Sequence, residues 1–235
     1  MREIVFDTET TGLDPRQGDR VVEIGCVELV NHIVTGQTFH VYINPERTMP
    51  RAAFDVHGLS DEFLSDKPKF AEIAADFARF IEDARLVAHN ADFDVGFLDH
   101  EFKRINRGPV RELVAKVTDS LHLAREMFPG KSNTLDALCR RLEVDNSHRD
   151  FHGALLDAGL LAEVYVRLTR GQDSLMMDSF GGEPGTEGGA ERIDLSQFEL
   201  PVLAASEAEL AAHDKVLADI DKASGGKTVW RSVMA

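Results

Sequence analysis

The sequence predicts an α/β domain built on a mixed sheet flanked by helices, with a flexible tail behind it. Three observations carry this expectation. The first 43 residues alternate β-rich runs with turn signals, the middle of the chain alternates helical stripes with short β-rich runs, and the composition changes after about Gln172.

The runs 3–7, 21–30 and 33–43 are rich in β-branched residues and are separated by Gly, Asp and Asn, so they read as a three-stranded antiparallel start. From Phe70 to Ile81 apolar residues recur at helical spacing (Phe70, Ile73, Ala74, Phe77, Phe80, Ile81), and Leu86-Val87-Ala88 follows as a short strand. A helix over 92–105 turns Phe93, Phe97, Leu98, Phe102 and Ile105 to the core. Lys116-Val117-Thr118 fits a fifth strand, and helices fit 119–127, 134–142 and 153–168. Beyond Gln172, residues 181–189 hold five glycines, one proline and no apolar residue, which is the composition of a flexible linker. Ser206-Glu207-Ala208-Glu209 then matches a capping box opening a helix through about Lys222, with Leu210, Leu217 and Ile220 as anchors. Such a helix is too small to fold alone; followed by the only tryptophan, Trp230, it docks on a partner or remains a loosely packed tail. The expected organisation is a folded domain over 1–171, a linker over 172–194 and a terminal segment over 195–235.

Hydrophobic residues at 43% and charged residues at 29% suffice for a core without disulfides or a structural metal. Cys26 and Cys139 lie among apolar neighbours with no second cysteine at ligand spacing, and read as small core residues. No basic start precedes a long apolar run and no stretch reaches roughly 18 apolar residues, so a cytoplasmic protein with no membrane role is expected. The net charge of −15 argues against a protein that grips nucleic acid unaided, because Lys and Arg supply most non-specific affinity for phosphate. Nucleic-acid chemistry here would need divalent cations at the reacting phosphate, or a basic partner that delivers the strand.

Three segments carry chemistry. Asp7-Thr8-Glu9-Thr10-Thr11-Gly12 closes the first strand, where residues two apart share a face, so Asp7 and Glu9 present paired carboxylates. A divalent cation relieves their repulsion, and hard oxygen ligands suit Mg²⁺ or Mn²⁺. His89-Asn90-Ala91-Asp92-Phe93-Asp94 spans a strand end and a helix start, which places Asp94 in a first turn where the helix dipole favours an anion. Asp92 is a competing candidate; Asp94 is favoured because Gly96, two residues on, permits close backbone approach. In Phe151-His152-Gly153-Ala154-Leu155-Leu156-Asp157, five helical steps rotate by roughly 140°, so His152 and Asp157 cannot share one stripe of a regular helix. His152 therefore sits at or before the first turn, where a base can reach a water, and Asp157 sits inside the helix as a fixed ligand. Each segment alone has a commonplace explanation, and only their combination points to catalysis.

In order and spacing these segments resemble the three exonuclease motifs of the DEDDh (DnaQ-like) superfamily, and within it the proofreading exonucleases of bacterial DNA polymerase III. The likeness extends over Phe39-His40-Val41-Tyr42, Val56-His57-Gly58-Leu59, Met127-Phe128-Pro129-Gly130-Lys131 and Gly225-Gly226-Lys227-Thr228-Val229-Trp230. The resemblance implies an RNase H-like fold with a five-stranded mixed sheet. It implies 3′–5′ hydrolysis of DNA ends with two Mg²⁺ or Mn²⁺ ions held by Asp7, Glu9, Asp94 and Asp157, and with His152 as general base. His57, expected in the loop before a short helix, resembles a position that touches the terminal nucleotide, and loop capping is its other reading. Gln172-Asp173-Ser174-Leu175-Met176-Met177 resembles a clamp-binding motif, with Gln172, Leu175 and Met177 contacting the sliding clamp (beta). The segment after about Leu195 resembles one that docks on the polymerase III alpha subunit. An RNA-trimming DEDDh enzyme and a catalytically silent scaffold bridging clamp and polymerase are the competing functions.

Overall fold

The structure is a computed structural model that describes residues 1–147, 151–179 and 205–225, with side chains described through 169 in the second of these stretches. Five strands form one mixed sheet in the order β3-β2-β1-β4-β5. Strands β1 (Arg2–Thr10), β2 (Val21–Val30) and β3 (Ile33–Tyr42) are antiparallel. Their hairpin turns on Asn31 and His32 at φ 52° and 61°, the two positive values that a tight primed turn requires. Strands β4 (Arg85–Ala88) and β5 (Lys116–Asp119) add in parallel on the other side of β1.

Both faces of the sheet are covered, which explains why Ile4, Val5 and Phe6 are consecutive and all buried. Ile4 and Phe6 pack against Phe70, Ala74, Phe77 and Ile81 of a helix over Phe70–Ile81 and against Val95, Phe97, Leu98 and Phe102 of a helix over Ala91–Arg104. Val5 faces the other way, onto Ala158, Leu161, Ala162 and Tyr165 of the long helix Ala154–Ser179. In chain order the helices are α1 (Arg51–His57), α2 (Asp61–Leu64), α3 (Phe70–Ile81), α4 (Ala91–Arg104), α5 (Ser120–Met127), α6 (Leu135–Arg141), α7 (Ala154–Ser179) and α8 (Glu207–Ser224). Cys26 and Cys139 are both fully buried, and they form no disulfide among the described residues.

Several expectations change. Strand β1 runs on to Thr10, because β2 continues to pair with it after β4 has stopped. His57 is the last residue of α1 rather than part of a loop: Ala52 and Ala53 favour helix, and Gly58 at φ 72° ends it. Helix α7 extends well past 168, with Thr169 and Gly171 the only weak helix formers between there and Gln172-Asp173-Ser174-Leu175-Met176-Met177. The side chains of Gln172, Leu175 and Met177 lie outside the described residues, as do the glycine-rich stretch 181–189 and Trp230.

The chain divides into two compact units, Met1–Gly182 and Glu183–Ala235. In the second, α8 begins as expected: Ser206 Oγ accepts from the Glu209 amide at 3.3 Å, and Glu209 Oε2 accepts from the Ser206 amide at 2.8 Å. Gly225 caps its other end, and Leu210, Val216 and Ile220 are exposed. Among the described residues no helix is long and apolar enough to cross a membrane.

Candidate active site

The site opens where β4 ends. Val5 pairs with Val87 and β4 closes at Ala88, so β1 beyond Phe6 has no neighbour on that side and leaves a crevice at the carboxyl end of the parallel strands. Asp7 and Glu9 share the face of Val5, toward α7, while Thr8 points toward α4. Across the crevice α7 brings Asp157, 3% exposed, and the segment before it brings His152. His152 lies outside the helix as its rotation required: the ring of hydrogen bonds begins with the Asp157 amide on the Gly153 carbonyl at 2.9 Å, and the His152 amide bonds the Val56 carbonyl at 3.2 Å. His152 Nδ1 stands 3.3 Å from Asp157 Oδ2, and one ligand atom each from Glu9, His152 and Asp157 lies within 4.8 Å of the others. Asp7, Glu9, His152 and Asp157 thus line one cleft of about 800 Å³.

One strand glycine makes this approach possible. Gly25 pairs with Asp7, and a Cβ on it would lie 2.1 Å from the Leu155 nitrogen and 2.2 Å from the Ala154 carbonyl carbon. Backbone of α7 therefore rests directly on backbone of β2, which sets the depth of Asp157. Sequence reasoning passed over Gly25, although a glycine inside a β-rich run is itself a signal of close approach.

Asp94 takes a different place from the other four. It is 3% exposed, and its Oδ1 accepts from the Thr8 amide at 3.1 Å and the Thr8 hydroxyl at 2.7 Å. It stands behind Thr8, between the two strand carboxylates in sequence, and is not among the residues lining the cleft. Burial pushes its carboxyl up to about 7 against the pull of the Thr8 bonds, with Asp119 adding to the rise. A buried acid held so near neutrality is one that an adjacent cation would return to its carboxylate form. Asp92, the competing candidate, points into solvent and pairs with Arg111 at 3.0 Å. Gly96 does not act as expected: a Cβ there meets nothing within 4 Å, because this side of α4 faces an open groove rather than the sheet. Gly96→Ala should therefore stabilise the fold by about 0.5–1 kcal/mol through helix propensity, read as a higher urea midpoint; a lower midpoint would contradict the open groove.

Two further histidines border the site. His57 is 6% exposed; its Nδ1 accepts from the Leu59 amide at 3.0 Å, and its Nε2 makes no well-aligned hydrogen bond among the described residues. Burial lowers its pKa and the nearby His152 lowers it further, while the Thr10 carbonyl acts in the opposite sense. A neutral ring that accepts at Nδ1 carries its proton on Nε2, a buried donor that faces the Thr10 carbonyl without forming a well-aligned hydrogen bond among the described residues. His89 spans the cleft floor, its Nε2 donating to the Asn133 carbonyl at 2.8 Å and its Nδ1 meeting Ser120 Oγ at 2.9 Å. It ties the end of β4 to the turn that forms the far wall, a role its place in the sequence did not disclose.

The exonuclease family profile matches residues 4–165. DNA polymerase III subunit epsilon of Salmonella typhimurium is 50% identical over 238 residues, covering 98% of each chain. The Rickettsia felis protein of the same name is 58% identical over 175 residues, covering 74% of this chain and 76% of its own. Among solved structures, the nuclease domain of 3′hExo, described as a DEDDh family member bound to rAMP, superposes with a TM-score of 0.60 at 18% identity. It covers 72% of this chain and 92% of that one, and this likeness carries the RNase H-like fold alone. The chain belongs to the exonuclease family, in the branch formed by the epsilon subunits of DNA polymerase III.

Proposed function

We propose that this cleft removes mispaired 3′-terminal nucleotides from DNA, as the proofreading 3′–5′ exonuclease of a replicative polymerase, by hydrolysis at divalent cations. One observation carries the reading: Glu9, Asp157 and His152 converge at the open end of β1, two of them nearly without solvent, in a chain otherwise too acidic to attract DNA. The donor set fits Mg²⁺ or Mn²⁺, because carboxylate oxygens are hard ligands and the concentrated charge needs a counterion. Asp7, Glu9, Asp94 and Asp157 would hold two ions, Asp94 from its place behind Thr8. The chemistry such ions would supply there is polarisation of the scissile phosphate and neutralisation of charge on the entering and leaving oxygens.

The protein's own part is positional and acid–base. Asp157 sits beside His152 Nδ1 and orients the ring, leaving Nε2 to take the proton of the attacking water. Water oxygen bonds to phosphorus, the P–O3′ bond breaks, and the products are a nucleoside 5′-monophosphate and a strand with a new 3′ hydroxyl. The Nε2–H of His57 is available to an oxygen of the terminal nucleotide, which would satisfy its buried donor. Preference for mispaired ends follows from fraying, since a mismatched terminus costs less to melt into a cleft that admits a single strand. The exposed apolar residues of α8 and the sequence at Gln172, Leu175 and Met177 suit contacts with the polymerase alpha subunit and the sliding clamp. That delivery would compensate for the charge of −15.

The test compares Mg²⁺-dependent release of nucleotides from mispaired DNA, paired DNA and RNA 3′ ends. Faster digestion of the mispaired DNA end is expected. RNA digested in preference to both would move the function to RNA trimming, and no digestion with any cation would leave only a scaffold.

A further inference from the structure

The cleft has two walls of unlike charge. One carries Asp7, Glu9 and Asp157; the other, formed by α5, the turn 128–134 and the start of α6, carries Arg125 and Lys131 with a single acid, Asp136. Both cations are exposed, and neither side chain makes a hydrogen bond or ion pair among the described residues. Elsewhere on this acidic chain Arg2, Arg16, Arg20, Arg47 and Arg51 are each matched to a carboxylate. The acids beside the two cations are engaged with other groups: Glu126 faces His122 at 3.4 Å, and Asp136 accepts from Asn146 at 3.0 Å.

The turn that presents Lys131 is pinned. His89 holds the Asn133 carbonyl, Arg141 donates to Asn133 Oδ1 at 3.1 Å and to the Ser132 carbonyl at 2.9 Å, and Asn133 Nδ2 reaches the Phe128 carbonyl at 3.3 Å. The Arg141 guanidinium also covers the Phe128 ring at 4.6 Å. So many bonds to one short turn fix the far wall against the catalytic one, and they leave Arg125 and Lys131 facing the space between.

A strand entering a 3′-exonuclease continues only to the 5′ side of the scissile bond. From this geometry we infer that Arg125 and Lys131 grip backbone phosphates on that 5′ side, holding the strand across from the acids that act on its last phosphate. The inference rests on the exonuclease reading of the site. It locates where an acidic protein keeps the positive charge that a polyanion needs, and it makes the grip independent of base identity.

The full-length protein tests this with two substrates: an oligothymidylate, and the p-nitrophenyl ester of thymidine 5′-monophosphate, which has a scissile phosphodiester and no phosphate behind it. The double variant Arg125→Ala/Lys131→Ala should lose about tenfold or more in kcat/KM on the oligonucleotide, and far less on the ester. Raising salt from about 50 to about 200 mM should cost the native protein about sevenfold more than the variant on the oligonucleotide, as two phosphate contacts each contribute a slope of about −0.7. Arg125→Lys/Lys131→Arg should restore both properties. Equal losses on the two substrates would place these residues on the terminal nucleotide and overturn the inference, as would an unchanged salt dependence. A native protein that cleaves neither substrate would overturn the exonuclease reading and this inference with it.

Discussion

Gly25→Ala should lower turnover by about 10²-fold, although Gly25 touches no substrate and carries no chemistry. The added methyl would lie 2.1 Å from the Leu155 nitrogen and 2.4 Å from its Cα, where carbon contacts need about 3.5–4.0 Å. No rotamer change relieves a clash between two backbones, so α7 must lift from β2. Asp157 lies two residues beyond Leu155 and moves with it, away from Asp7 and Glu9. A displacement of about 1 Å is enough for that loss, because the reacting groups must remain in line. Stability should fall as well, by about 3 kcal/mol, the upper part of the range for overpacking. Steady-state kinetics and urea unfolding of the same variant check both effects. A fully active Gly25→Ala enzyme would show that α7 does not set the depth of the site.

His152→Ala should reduce kcat by about 10²–10⁴-fold, the span a positioned general base supplies. Its effect on folding should be small, because the side chain is half exposed and the backbone bond to Val56 survives the substitution. Mn²⁺ or Mg²⁺ affinity, measured by calorimetry, should persist, since Asp7, Glu9 and Asp157 remain. The vacated space opens to the cleft, so free imidazole should recover part of the lost rate. Loss of metal binding together with rate would make His152 a ligand instead, and near wild-type turnover would remove it from the mechanism.

Much of this architecture is legible in the order of the residues. The run 21–30 and the stripe Phe70–Ile81 carry their boundaries in their periodicity, and the observed elements keep them. The rotation between His152 and Asp157 already required a helix beginning after the histidine, and α7 starts at Ala154. Other elements were not legible. Thr8, Glu9 and Thr10 show no apolar alternation, and only pairing with β2 keeps them in the strand. The ending of α1 at His57 depends on Gly58, whose left-handed conformation the residues around it do not reveal.

The chain's order of residues by itself determined the periodicities that make five strands and their helices, and the supply of acids and one histidine at strand and helix ends. These are local properties, set by pleat, helical rotation and side-chain type, and they survive without knowledge of neighbours. Only the tertiary structure decided the rest: that Asp94 is held inward by Thr8, 86 residues away, and that Gly25 admits a helix more than a hundred residues later. Such contacts join segments whose separation along the chain carries no record of their distance in space. The catalytic letters can therefore be read from the sequence, but their depth, protonation and facing wall belong to the packing.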